Sequence, residues 1–317
     1  MNKQVPIFFS VDDNYAPFLA VALNSAIKNA DKTRKYQANI LYKDLNKQNI
    51  SKIKALETDN FSINMFPMEN SFQMLDDRMS NRLRCDFFTL TIFFRLFIPD
   101  LFSQYDKGMY IDCDVALTED IGKLFDIDLG DNLIGACRDL SIADIPPLVA
   151  YTENAVGIKR GEYVNSGVLL MNLKKMRELK FEEHFLNLHK TYQFENLAPD
   201  QDYLNAICSG KILYLENEWN TMPNKARPVS KSPRLIHYNL FEKPWCYDGI
   251  QYEDVFWSYA EDSGFIDEIR AYKAAYSDEK KESDRKCLEL MVKKSTEIPD
   301  LDVTFKKMSE KGVKIRL

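Results

Sequence analysis

What most constrains the fold of this chain is an alternation over its first 140 residues, in which short apolar runs are separated by stretches of helical period. Residues 5–11 (VPIFFSV), 38–42, 61–66 and 108–112 read as strands, the third ended by Pro67. Between them, residues 16–29 place Phe18, Leu19, Ala22, Leu23, Ala26 and Ile27 on one helical stripe. Residues 46–56 do the same with Ile50, Ile53 and Leu56, and 89–97 form an aromatic-rich helix stopped near Pro99. Continuous apolar strands need cover on both faces, and helix-length connections provide it. The pattern therefore predicts a mostly parallel sheet layered with helices, with ligands bound beyond the carboxyl ends of the strands.

The second half is less regular. Residues 132–137, 163–171, 211–215 and 235–238 read as strands, and 181–192 and 202–208 as helices. Pro199, Pro223, Pro228, Pro233 and Pro244 punctuate long connections, which suits a site assembled from loops. From residue 277 the chain turns to mixed charge, DEKKESDRK, and reads as a solvated helical appendage. The expected organisation is a catalytic domain over 1–264 and a charged helical extension over 265–317.

A formal net charge of −6 leaves no global basic field for nucleic acid or an anionic membrane. No apolar run approaches the roughly 18–20 residues of a membrane span, and the opening residues run straight into Asp12 and Asp13 without a signal-peptide pattern. The six cysteines have no paired spacing and read as reduced thiols. A cytoplasmic protein is expected. Its locally basic tail, residues 305–317, suggests at most weak, salt-sensitive contact with a membrane surface.

The sharpest chemical feature is Asp112-Cys113-Asp114, two carboxylates at alternate positions where an apolar strand ends. Desolvation makes an unpaired buried carboxylate costly, so two at one strand end call for a cation or donors between them. Oxygen ligands favour Mn²⁺ or Mg²⁺. His237 ends another apolar run and can add a neutral imidazole nitrogen. Lys243, six residues on, is a basic group that can meet an anionic ligand, its bland reading being a solvated loop lysine. Arg95, within an apolar aromatic segment, needs an anionic partner, for which Asp112 and Asp139 are candidates. In Ser10-Val-Asp-Asp-Asn-Tyr15 a base can stack on Tyr15 and bond to Asp12, or Asp13 or Asn14 can simply cap the helix that follows. His184 and His189 are read as structural. An aspartyl-phosphate phosphatase would also use an Asp-x-Asp pair, but near the N-terminus and without Ala116 two places on.

Five segments in order carry a family resemblance: Ser10 to Tyr15, Asp112-x-Asp114, Asn165-Ser-Gly-Val-Leu-Leu-Met-Asn-Leu173, Asp200-Gln-Asp202, and His237-Tyr-x₄-Lys243-Pro-Trp245. Over roughly residues 5–260 the chain resembles a bacterial member of glycosyltransferase family 8, which includes lipopolysaccharide galactosyl- and glucosyltransferases. The resemblance implies a GT-A fold, a UDP-hexose donor, Mn²⁺ or Mg²⁺, a saccharide or glycolipid acceptor and retention of anomeric configuration. It implies Asp112, Asp114 and His237 as metal ligands. Ser10, Asp12, Asn14, Tyr15, Cys113, Asn165, Ser166 and Lys243 fall at nucleotide-sugar contacts, and Arg95, Asp139, Asp200 and Gln201 at catalytic positions around the hexose. The chain departs from familiar members at Leu240, where glycine often lets backbone approach the phosphates. A nucleotide-sugar hydrolase using the same metal and a non-catalytic UDP-sugar-binding protein are the alternatives.

Overall fold

The structure, a computed structural model of the chain, describes residues 4–68 and 90–317. Its strands are β1 (Gln4–Val11), β2 (Lys35–Tyr42), β3 (Phe61–Pro67), β4 (Gly108–Ile111), β5 (Val115–Leu117), β6 (Ile134–Arg138), β7 (Val164–Met171), β8 (Ile212–Tyr214) and β9 (Leu235–His237). Among the described residues, seven of them form one sheet in the order β3-β2-β1-β4-β7-β6-β8. Pairings are parallel from β3 through β4 and between β6 and β8, while β7 runs antiparallel to both neighbours. The expected mixed, mostly parallel sheet is present, and the apolar strands are covered on both sides. In β1, Ile7, Phe9 and Val11 join one core cluster and Phe8 the other; in β7, Val168 and Leu170 join one, Leu169 and Met171 the other.

Two topological facts position the site. Because β7 is antiparallel, its first residues, including Asn165 and Ser166, lie at the carboxyl end of β4, where the chain reaches Asp112. Just beyond, β5 and β9 pair as a separate two-stranded ribbon in which Val115 faces His237. Tyr238 N donates to Asp114 O at 2.9 Å. That register brings together the strand-end carboxylates and a histidine more than a hundred residues away.

The segment expected as a helix over 89–97 is a tight 3-10 helix over Leu90–Leu96, with residue 89 outside the described residues. The helix expected over 202–208 starts earlier, at Pro199–Cys208, because proline is well suited to a first helical turn. The C-terminal segment is helical over Ile266–Ala274, Asp278–Glu297 and Phe305–Glu310. It is not a solvated appendage: Ile269 belongs to one core cluster, and Met291, Ile298, Phe305, Met308 and Ile315 to the other. Cys113, Cys137, Cys208 and Cys246 are buried free thiols, whereas Cys287 is disulfide-bonded, contrary to the reading of all six as reduced. No helix among the described residues is long and apolar enough to cross a membrane.

Candidate active site

Asp112, Asp114 and His237 converge, one ligand atom of each lying within 4.8 Å of the others. His237 Nε2 stands 3.2 Å from Asp114 Oδ1 and 3.8 Å from Asp112 Oδ2. This nitrogen is fully buried and makes no hydrogen bond. The other ring nitrogen, Nδ1, is 2.9 Å from Asn220 Oδ1. An amide oxygen only accepts, so Nδ1 carries the proton and Nε2 presents its lone pair to the two carboxylates. A neutral imidazole fixed from behind and two carboxylate oxygens in front form a donor set that fits a divalent cation.

Each carboxylate is held by a cation. Arg95 Nη2 donates to Asp112 Oδ1 at 2.9 Å, Tyr110 Oη donates to the same oxygen at 2.8 Å, and the guanidinium lies 4.2 Å from the centroid of the Tyr110 ring. Arg95 Nε pairs with Asp200 Oδ2 at 3.1 Å. Its anionic partners are thus Asp112 and Asp200, not Asp139. Arg95 is buried, which works against its charge, but Asp112 and Asp200 more than compensate and hold it protonated. Lys243 is also buried rather than solvated, donating to Asp114 Oδ2 at 2.6 Å and Tyr238 O at 2.8 Å. Burial alone would raise the Asp114 carboxyl, yet the Lys243 ammonium keeps it well below the usual carboxylate range.

The remaining candidates form one hydrogen-bonded chain. Gln201 Nε2 donates to Asp139 Oδ2 at 2.8 Å, and Gln201 Oε1 accepts from Ser166 N at 3.0 Å and Asn165 Nδ2 at 3.2 Å. Asn165 Oδ1 accepts from Asn220 Nδ2 at 2.9 Å, and Asn220 in turn holds His237. Ser166 Oγ donates to Asp200 Oδ2 at 2.8 Å, while Asp200 Oδ1 is buried without a hydrogen-bond partner. Asp202, the last residue of that motif, is an anchor. It accepts from the Tyr151 and Tyr163 hydroxyls and from the amides of Leu197 and Ala198.

Beside this cluster opens a cleft of about 490 Å³, within the range of small-molecule sites. Ser10, Asp12, Asn14, Tyr15 and Cys113 line it, with Arg95, Asp112, Asp114 and Lys243. Asp12 itself caps the turn, accepting from Tyr15 N at 3.0 Å, whereas Asp13 bonds to Asn46 and Asn49. Burial raises the Asp12 carboxyl. Ser10 Oγ is buried with no partner, and Cys113 Sγ donates to Ser10 O. Leu240 adopts φ +54, so the left-handed turn is kept with a side chain present, at a cost of about 1–2 kcal/mol. Trp245 stacks on Phe18 at 4.2 Å and anchors the loop. His184 and His189 are structural, meeting Ile315 O and Tyr203 Oη.

Two residues of this cluster were not singled out from sequence. Asn220 sits in a short 3-10 turn with no periodic signal. Gly167 was visible within the Asn165 motif but without a reason for its type. A Cβ there would stand 2.4 Å from His237 Cε1 and 2.5 Å from Asp112 Oδ2.

Residues 6–249 match the family model described as Glycosyl transferase family 8. The chain belongs to glycosyltransferase family 8. It is 31% identical over 238 residues to a putative glycosyltransferase of Haemophilus influenzae, covering 74% of this chain and 68% of that one. To the lipopolysaccharide 1,2-glucosyltransferase of Escherichia coli it is 25% identical over 258 residues, covering 75% and 72%. Among solved structures, the galactosyltransferase LgtC in complex with donor and acceptor sugar analogs superposes with a TM-score of 0.66 at 26% identity, over 81% of this chain and 95% of that chain. The family member described here accordingly has the GT-A fold, with its candidate residues gathered at the carboxyl end of the parallel strands.

Proposed function

We propose that this family 8 member is a retaining, metal-dependent hexosyltransferase that moves glucose or galactose from a UDP-sugar to a saccharide or glycolipid acceptor. The observation that carries the reading is His237 Nε2: buried, unbonded, fixed in tautomer by Asn220 and aimed at two carboxylates. Such an atom is costly unless a cation takes its lone pair. The two relatives named above, a lipopolysaccharide glucosyltransferase and a galactosyltransferase, support a hexose donor and a glycolipid-type acceptor. The basic tail over 305–317 would give weak contact with the inner membrane surface.

Asp112, Asp114 and His237 would hold Mn²⁺ or Mg²⁺, which when bound screens charge gathering on a departing diphosphate. The protein's own groups do the rest. Lys243, 2.6 Å from Asp114, supplies a fixed positive charge beside the phosphates. Ser10, Asp12, Asn14 and Tyr15 receive the nucleoside, with the Ser10 hydroxyl available to it. Asp200 Oδ1, the unpartnered carboxylate oxygen, accepts a hydrogen bond from a hexose hydroxyl while Arg95 holds its twin. Gln201 is pinned at both ends of its amide, and a neutral amide is a poor base. With Asp200 engaged by a hexose hydroxyl, Gln201 offers backside attack no base, which favours attack from the leaving-group face with retention of configuration.

A panel of UDP-sugars with Mn²⁺, scored for UDP release with and without saccharide acceptors, tests the reading. Acceptor-dependent release abolished by chelator is expected. Equal release to water would favour a nucleotide-sugar hydrolase, and undiminished turnover in chelator would overturn the metal assignment. A product of opposite anomeric configuration by proton NMR would overturn retention.

A further inference from the structure

The family match ends at residue 249, yet the cleft is also lined by Tyr272, Tyr276, Lys280 and Met291 from beyond it. We propose that the C-terminal segment is a binding wall of the donor cleft, in which Tyr272 packs against the nucleobase end and Lys280 binds the phosphates. The inference rests on the donor being UDP-linked.

The placement is built into the fold. Tyr272 meets Phe18 edge-on with ring centroids 5.6 Å apart, and Phe18 in turn meets Tyr15 at 5.3 Å. Tyr276 lies 6.0 Å from Tyr272, and the Lys280 ammonium stands 5.6 Å from the centroid of each ring. Tyr272 keeps 38% of its surface accessible and lines the cleft with Asp12 and Tyr15. From Lys280 to Met291 the helix advances roughly 16 Å, enough to run alongside an extended nucleotide sugar. Met291 marks the far end, bordering both the cleft and a small cavity walled by Asp139 and Gln201.

The wall is fastened where a charged helix would otherwise drift into solvent. Asp284 is buried and accepts from the hydroxyls of Tyr247 at 2.5 Å and Tyr276 at 2.6 Å. Tyr247 follows Lys243 by four residues, so one carboxylate ties the helix to the loop carrying Lys243. The chemistry suits a nucleoside diphosphate: tyrosine rings stack on any base, and an ammonium adds attraction in a chain of net charge −6.

Full-length variants separate the contributions, with UDP plus Mn²⁺ and uridine alone as calorimetric probes. Lys280→Ala should weaken UDP about tenfold and leave uridine unchanged, as for loss of one charge-assisted contact. Tyr272→Ala should weaken both probes at least about fivefold, and Tyr272→Phe should restore them. Lys286→Ala, exposed on the same helix and outside the cleft, should match wild type. Wild-type binding of UDP with unchanged affinity in Tyr272→Ala and Lys280→Ala would overturn the wall while leaving the donor assignment standing. Failure of the wild-type protein to bind UDP would instead overturn the donor assignment.

Discussion

Replacing Gly167 by alanine adds one methyl group and should cost this enzyme most of its activity. The added carbon would lie 2.4 Å from His237 Cε1 and 2.5 Å from Asp112 Oδ2, where ordinary contact begins at 3.4 Å. About 1 Å must be given up on each side. Neither side can yield freely. The His237 ring is held by Asn220, and its backbone by pairing with Val115. The Asp112 carboxylate is held by Arg95 and Tyr110, and its amide donates to Gly167 O at 2.8 Å. The displacement therefore falls on two proposed metal ligands, and a misplacement of about 1 Å can cost on the order of 10²-fold in rate. Folding should suffer less. Overpacking costs about 1–3 kcal/mol, partly offset because alanine is preferred to glycine within a strand by roughly 0.5–1 kcal/mol. Turnover, Mn²⁺ affinity and a thermal melt on the same preparation separate the two effects. A folded Gly167→Ala protein with unchanged metal affinity and turnover would refute the close packing claimed for this site.

Three further outcomes follow from particular contacts. Asn220→Ala should lower Mn²⁺ affinity about 10- to 100-fold by freeing the His237 tautomer, and titration with unaltered affinity would remove Asn220 from that role. Asp114→Asn should abolish turnover and also destabilise the protein by up to about 3 kcal/mol, because buried Lys243 loses its counterion; adding Lys243→Met should recover the melting temperature but not turnover. Glu182 is raised to about 7, first by burial and then by Asp100, so the stability tied to its neutral form is present below its ordinary value near 4.5 and lost as pH rises through 7. Glu182→Gln should therefore melt higher than wild type at pH 8 and lose that advantage toward pH 5, and a wild-type advantage at pH 8 would contradict the shift.

The alternation of apolar runs was enough to foresee the parallel half of the sheet, since continuous burial on both faces leaves a strand little other choice. The strand-end pair Asp112 and Asp114 was legible for the same reason, as charge where desolvation forbids it without a partner. His237 was legible as a residue, but its approach to Asp114 depends on pairing between β5 and β9, three residues each, too short to carry a periodic signal. Asn220 was invisible because an asparagine in a loop looks alike whether it faces water or a histidine. The helix over Asp278–Glu297 misled for a subtler reason. Its inward stripe is Asp284, Leu288, Met291 and Ser295, spaced for one helical face, yet half of it is polar. Hydropathy reads such a helix as solvated, because the tyrosine hydroxyls that make Asp284 tolerable inside come from elsewhere in the chain.

Charge explains why a chain of negative sign can be read as a diphosphate-binding enzyme. At the heart of the site three carboxylates, Asp112, Asp114 and Asp200, face two cations, Arg95 and Lys243, which leaves one net negative charge. Arg95 is shared between Asp112 and Asp200, and Lys243 is spent on Asp114, so neither cation stands ready for a phosphate without giving up a carboxylate. Such a site repels a nucleotide diphosphate on its own. A divalent cation held by the two carboxylates and His237 would reverse the local sign. On this reading nucleotide affinity and metal affinity are two sides of one linkage, each raising the other by the same factor. The buried pairs hold the carboxylates in place for a guest whose charge they cannot replace.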